Sequence, residues 1–230
     1  MRKRNGKVIG GLFSILFAVF CAFMKKFTKK DVVPPGMEAC SHDNALLAAP
    51  AGVCAEWQAF YRRVFGLVTD FSEVWLPERR PGFSHLLLIP RGLTLKQVAG
   101  ACCRKFEVHA YADNLDRDIY LCDPCPENGS YAVWLCDRPE AEERLDYGSL
   151  KVLHRAGVRG ISLIERLVYE LKHFNNTGQH PDVGDATLCG GSWHPDGLLV
   201  DVYWLESTLC VGREHPNFTC GSLFSRAEAA

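Results

Sequence analysis

Residues 8–24 form a run of 17 residues without one charged side chain, rich in Phe, Leu, Ile, Val and Ala. Arg2, Lys3, Arg4 and Lys7 precede it, and Lys25, Lys26, Lys29 and Lys30 follow it. A stretch that is apolar all round cannot lie on a solvated surface as an amphipathic helix does, so it has to leave water. As a helix it would span roughly 25 Å, at the short end of what a bilayer requires. The two lysines directly after Met24 do not suit a cleaved signal peptide, and Phe20 before Cys21 is too bulky for lipoprotein processing. An uncleaved N-terminal anchor, a hydrophobic helix over residues 8–24, is therefore expected. Basic residues on both flanks leave its orientation open. A second reading stands beside it: Met24-Lys25-Lys26-Phe27 resembles an ordinary bacterial start, and a chain beginning there would be cytoplasmic.

The anchor also rearranges the charge. The net formal charge is −1, but residues 1–30 hold eight of the 26 basic side chains and no acid. The remaining 200 residues carry 18 basic against 27 acidic side chains, a formal −9. A body this acidic repels phosphate backbones, which argues against general nucleic-acid binding. Of the eleven cysteines, ten lie outside the apolar run. Several occupy apolar contexts, as in Trp134-Leu135-Cys136 and Thr208-Leu209-Cys210-Val211, where a thiol serves as a small hydrophobe. Mostly reduced cysteines are expected, and with them a domain on the cytoplasmic side of the inner membrane.

Residues 31–50, with Pro34-Pro35-Gly36, read as a linker, and residues 51–230 as one α+β domain. A helix is expected over residues 53–69, where Trp57, Phe60, Tyr61, Val64, Leu67, Val68 and Phe71 recur at three- and four-residue steps. Residues 86–89 are a short apolar run ending at Pro90, as in a buried strand. Thr94 with Gln97 forms a capping box, and Leu93 with Val98 a hydrophobic staple, which opens a helix running to about Arg104. Val108, Ala110 and Ala112 alternate as in a half-buried strand. Residues 113–129 read as a polar loop, and residues 131–136 as a strand. A second capping box at Asp137 and Glu140 and a short helix over residues 149–156 come next. Ser162 with Glu165 opens the most regular helix, whose stripe is Ile164, Leu167, Val168, Leu171 and Phe174 and which Gly178 stops. Residues 187–193, 198–205 and 208–213 then read as an antiparallel meander, with turns at His194-Pro195-Asp196-Gly197 and Glu206-Ser207.

Several of these segments together resemble an uncharacterised bacterial protein family. They are Pro77-Glu78-Arg79-Arg80-Pro81-Gly82-Phe83, Gly92-Leu93-Thr94-Leu95-Lys96-Gln97-Val98, Tyr131-Ala132-Val133-Trp134, Gly160-Ile161-Ser162-Leu163-Ile164-Glu165-Arg166-Leu167, Glu170-Leu171-Lys172 and Thr187-Leu188-Cys189-Gly190-Gly191-Ser192. The resemblance covers roughly residues 75–226 and implies no activity, fold or catalytic residue. The apolar N-terminus and the Cys122/Cys125 pair depart from the family's pattern.

Three constellations offer chemistry. Cys122-Asp123-Pro124-Cys125 has the spacing at which two thiolates reach one tetrahedral zinc, with Cys136 the nearest further ligand in sequence. Cys102, Cys103 and His109 could also join it. No second Cys-x-x-Cys completes the set, so two incidental thiols in a loop are the plainer expectation. Cys189, followed by Gly190 and Gly191, could be a nucleophile with His194, His180 or His173 as its base. The same glycines are equally explained by a β-bulge. Glu165, Arg166, Glu170 and Lys172 line the polar side of the regular helix, where a solvated face with an Arg166–Glu170 pair at i,i+4 is expected. No Walker A loop, dinucleotide fingerprint, His-Glu-x-x-His or Gly-x-Ser-x-Gly occurs.

The expected architecture is α+β: helices packed on a mixed sheet, ending in an antiparallel β-meander, with an N-terminal hydrophobic helix. The expected function is that of a non-enzymatic binding or accessory module at the inner membrane face. It would meet the membrane through residues 8–24 and bind an unknown protein or small molecule. The alternative is a cysteine- or metal-dependent enzyme using Cys189 or the Cys122/Cys125 loop. A pocket joining Cys189 to a histidine favours the enzyme, and exposed apolar surface favours the module.

Overall fold

The computed structural model describes residues 47–79, 82–122, 124–136, 160–184, 186–214, 223–224 and 228–229. The expected membrane helix, most of the linker, the capping box at Asp137 and the helix over residues 149–156 lie outside them. Among the described residues, no helix is long and apolar enough to cross a membrane. The compact unit runs from Asn44 to Ala230 and is α+β.

The chain enters through β1 (Leu47–Ala48), which pairs antiparallel with β2 (Trp75–Leu76). Between them runs α1 (Ala51–Phe65), whose buried side is Cys54, Trp57, Phe60 and Tyr61. The helix stops four residues short of the expected end because Gly66 takes a left-handed conformation, φ 69°, and its N–H bonds back to the Arg62 carbonyl. Val68, on the expected stripe, is thereby thrown out of the helix and is 85% exposed. Tyr61 is fully buried and its hydroxyl donates to the Leu88 carbonyl at 2.8 Å, which ties α1 to β3 (Phe83–Ile89).

The capping box at Thr94 and Gln97 is present and opens α2 (Leu95–Cys103), with both staple residues, Leu93 and Val98, buried. After β4 (Glu107–Ala110), the segment expected to be an irregular loop contains α3 (Leu115–Asp118) and β5 (Tyr120–Leu121). The Asn114 side chain accepts from the Arg117 N–H and starts that short helix. β6 (Tyr131–Cys136) has the expected bounds.

The helix α4 (Leu163–Thr177) carries the expected caps at both ends: the Ser162/Glu165 box and a left-handed Gly178. It leads into the meander β7 (Ala186–Trp193), β8 (Leu199–Leu205) and β9 (Thr208–Glu214), antiparallel throughout. β4 joins β9 in parallel, and β10 (Leu223–Phe224) joins β7 in parallel, so the large sheet is mixed, in the order β10-β7-β8-β9-β4 with β5 also on β7. A smaller antiparallel sheet has the order β11-β6-β3, where β11 is Glu228–Ala229.

The position of α4 decides the core. It packs on β7 and β8 of the large sheet, on β3 of the small one and on α2. Elements on several sides leave its first half no solvated face, and every side chain from Leu163 to Leu171 is buried. Leu167 and Leu171 are in the core, as their stripe requires. Glu165, Arg166 and Glu170 are fully buried as well. The solvated polar face expected from sequence is therefore wrong: helical period shows which side is most apolar, and not how many sides are covered.

Candidate functional site

Burial of three ionisable side chains on one helix requires that each find a partner, because a lone charge out of water costs several kcal/mol. Arg166 is the hub. Its Nη1 donates to Glu170 Oε2 at 2.8 Å, its Nη2 to the Pro181 carbonyl at 3.2 Å and its Nε to Thr187 Oγ1 at 3.0 Å. Asp182 Oδ2 lies 3.2 Å from Nε and also accepts from the Thr187 hydroxyl, so the three form a closed circuit. Burial works against the guanidinium charge, but the Glu170 and Asp182 carboxylates outweigh it and hold its pKa above the ordinary arginine value. Asp182 adopts φ 56°, a left-handed conformation tolerated by a short polar side chain that bonds locally.

Glu170 extends the circuit outward. Its Oε1 lies 2.7 Å from Nδ1 of His180, and its Oε2 also accepts from Trp204 Nε1 at 3.4 Å. The His180 ring stacks on Phe174 at 4.7 Å, lies 3.9 Å from Trp204 and meets Phe106 edge-on at 5.3 Å. A carboxylate that holds Nδ1 fixes the tautomer and orientation of the imidazole. Among the described residues, no partner bonds its Nε2. The cluster thus joins α4, the loop over residues 178–184 and strands β7 and β8. Sequence reasoning recognised the Arg166–Glu170 spacing and missed its burial. Asp182 and Thr187 sit far along the chain and gave no signal.

The expected nucleophile is elsewhere in character. Cys189 shares with Thr187 the face of β7 turned to the core, and it is fully buried. Burial pushes its thiol pKa well up, and the nearby Arg166 offsets this only in part. Its bonding partner is the Thr187 carbonyl at 4.0 Å, and among the described residues no histidine bonds to it. His180 is held by Glu170, His173 packs at a tilt on Tyr169, and His194 lies in another cluster.

Gly190 and Gly191 have a structural reason. The β7–β8 register shifts between Cys189 and Trp193, a bulge, and residues 160–162 cross directly over it. A Cβ on Gly191 would stand 2.7 Å from the Gly160 carbonyl oxygen and 3.0 Å from the Ser162 nitrogen. The missing side chains bring backbone to backbone rather than admit a substrate. The Gly191 N–H bonds to Ile161 O at 3.0 Å, and the Leu163 N–H to Ser192 Oγ at 2.7 Å.

His194 packs on Tyr111, ring centres 4.9 Å apart, in the turn between β7 and β8. Asp196 Oδ1 is 3.2 Å from its Nδ1, without the angle of a hydrogen bond, and Arg213 reaches Asp196 at 3.5 Å and lies 5.4 Å from the centre of the Tyr111 ring. Burial and nearby Asp196 push the Tyr111 phenol up to about 12, against the pull of Arg213. Of the candidate zinc ligands, Cys122 is tied by its backbone N–H to Gly191 of the large sheet. Cys125 lines an open cleft of about 510 Å³, and Cys136 ends β6 of the small sheet opposite Phe83. Among the described residues, no group of three or more His, Cys, Asp or Glu is placed to hold a metal ion.

Compared with protein-family models, with curated proteins and with solved structures, the chain matches none.

Proposed function

We propose that this chain is a non-enzymatic binding or accessory module, carried at the inner membrane face by the apolar segment over residues 8–24. The observation that carries the module reading is the exposed apolar surface. Leu47, Val68, Trp75, Tyr120, Val183 and Leu205 are large apolar side chains left more than half in water. Exposed aromatic and aliphatic groups of this size are what an interface uses as anchors. The groups that would perform chemistry support the same reading: Cys189 is enclosed in the core, and Arg166, Glu170 and Asp182 are committed to one another.

A buried, fully paired ion network favours a single rigid arrangement of α4, β7 and the loop between them, which suits a preformed binding surface. The tether is tested by membrane fractionation of the full chain against a chain starting at Met24. The full chain should sediment with membranes and resist high salt, and the shorter one should not. Both in the soluble fraction would end the tethered reading. The module part is tested by placing a photo-crosslinking residue at Leu205 or Val183 in cells. A discrete adduct at either position, absent from a control at the exposed polar Glu107, supports it. Adducts indistinguishable from the control at both positions would refute it.

A further inference from the structure

The cleft that Cys125 lines lies where four segments of the compact unit meet: the turn into α2, the short helix α3, strand β5 and the loop over residues 125–127. Its volume is about 510 Å³, within the roughly 300–1,000 Å³ that small-molecule sites occupy. Backbone bonds tie its walls together. The Gly92 N–H bonds to the Pro126 carbonyl at 2.8 Å, and the Lys96 N–H to Asp116 Oδ1 at 3.2 Å. Leu93, Leu95 and Ile119 line the cleft and are buried, and Tyr120 lines it with 57% of its surface exposed.

The charge of the lining selects the ligand. Among the described residues, the lining has the carboxyl groups of Asp116 and Glu127 and no lysine, arginine or histidine. Arg117, next to Asp116 in sequence, pairs with Asp118 at 2.7 Å. Asp116 Oδ2 and the Glu127 carboxylate have no hydrogen-bond or ion-pair partner among the described residues. The nearby start of α2 does not make this an anion site. The N–H groups of Thr94, Lys96, Gln97 and Val98 all bond within the protein, one of them to Asp116 itself. The 27 acidic against 18 basic side chains outside residues 1–30 draw cations to the same place. Among the described residues no third ligand completes a metal site there, and the apolar lining suits a carbon body. The exposed Tyr120 ring favours a cation over a neutral group of the same shape.

We propose that this cleft binds a small organic cation, an ammonium or guanidinium group on an apolar body. Asp116 and Glu127 take the charge, and Leu93, Leu95, Ile119 and Tyr120 take the body. The proposal rests on the binding-module reading, for which it names a ligand class, and not on the tether. It is tested with the full chain in uncharged maltoside micelles, followed by amide chemical shifts. The probes are phenethylammonium, phenethylguanidinium and their neutral isostere 2-phenylethanol. Both cations should shift the Gly92, Leu121 and Glu127 amides saturably and bind less tightly as salt is added. The alcohol should bind about tenfold more weakly. Asp116→Asn combined with Glu127→Gln should weaken the cations about tenfold, the worth of two partly screened ion pairs, and leave the alcohol unchanged. The new amide oxygen still accepts from the Lys96 N–H, and unchanged amide shifts away from the cleft show that the variant is folded. Equal binding of cation and alcohol, or unchanged cation affinity in the variant, would overturn the proposal. Shifts that fail to saturate with either cation, or that map away from the cleft, would do the same. Tighter binding of a blocked lysine-containing pentapeptide than of either cation would assign the cleft to a protein partner and overturn the small molecule. Each of these failures leaves the crosslinks at Leu205 and Val183, and the module reading that they test, untouched.

Discussion

Replacing Arg166 with methionine should be among the most damaging changes available in this fold. The two side chains are similar in length, so packing is nearly conserved and electrostatics carries the effect. The substitution leaves the Glu170 and Asp182 carboxylates buried without their cation, and it removes the donors to Pro181 O and Thr187 Oγ1. Removing one partner of a buried pair costs about 3–5 kcal/mol, most of it the penalty of the stranded charge. In a unit of this size each kcal/mol moves the melting temperature by about 2–4 °C, so a drop of about 6–20 °C follows. Urea unfolding followed by tryptophan emission, with thermal circular dichroism alongside, measures both quantities. A cycle with Glu170→Leu separates the pair from its surroundings. The double variant should be less destabilised than the sum of the singles, because Glu170→Leu removes one of the two carboxylates that Arg166→Met strands. A loss under about 1 kcal/mol for Arg166→Met is what an exposed i,i+4 pair shows, and it would refute the buried network.

Three further outcomes follow from the packing. Gly191→Ala should cost about 1–3 kcal/mol, because its Cβ meets the Gly160 and Ser162 backbones, and no loss in urea unfolding would show that the bulge has room to spare. In the native protein Cys103 should react readily with a thiol reagent while Cys102 and Cys189, buried and with raised pKa, stay protected; mass spectrometry after timed alkylation would reveal the opposite order. Tyr111 should ionise late: its folded-state pKa is raised from 10 to about 12, so the stability that it contributes is complete below pH 10 and lost as the pH climbs toward 12. Tyr111→Phe should remove that alkaline loss in pH-dependent unfolding, and an unchanged slope would refute the assignment.

The sequence was legible where a local rule suffices. Thr94/Gln97, Ser162/Glu165 and Gly178 mark helix ends through bonds made within a few residues, and each is found in place. The meander was legible because its strands are short apolar runs and the first of its turns carries Pro, Asp and Gly. Errors arose where a local pattern outran its stop or depended on distant layers. Leu67 and Val68 continue the period of α1, yet the left-handed Gly66 ends it. Residues 113–129 looked like a polar loop because α3 and β5 are too short to show a period, although Asn114 was a visible cap. Arg166 and Glu170 looked solvated because nothing within α4 says that β7, β8 and the connection over residues 178–184 will cover the side that carries them. Their partners Asp182 and Thr187 are supplied by the tertiary fold alone.

That same covering layer explains why a charged network is found at the centre of the unit. α4 is followed by a connection that must reverse direction, place Pro181 and the left-handed Asp182, and deliver Ala186 to the start of β7. Apolar side chains could fill the space equally well, but they would tolerate several positions of that connection. The Arg166 guanidinium accepts one. Its donors point at the Pro181 carbonyl, the Asp182 carboxylate and the Thr187 hydroxyl at once, and Glu170 reaches past it to His180. A sliding register of β7 would move Thr187 away from Nε and expose Cys189, which follows it on the same face. The network therefore acts as a register pin for β7 in the large sheet. It follows that variants of Asp182 should loosen β7 before they unfold α4, which hydrogen exchange of the β7 and α4 amides would resolve. Simultaneous loss of protection in both elements would mean that strand and helix are held by the apolar core alone.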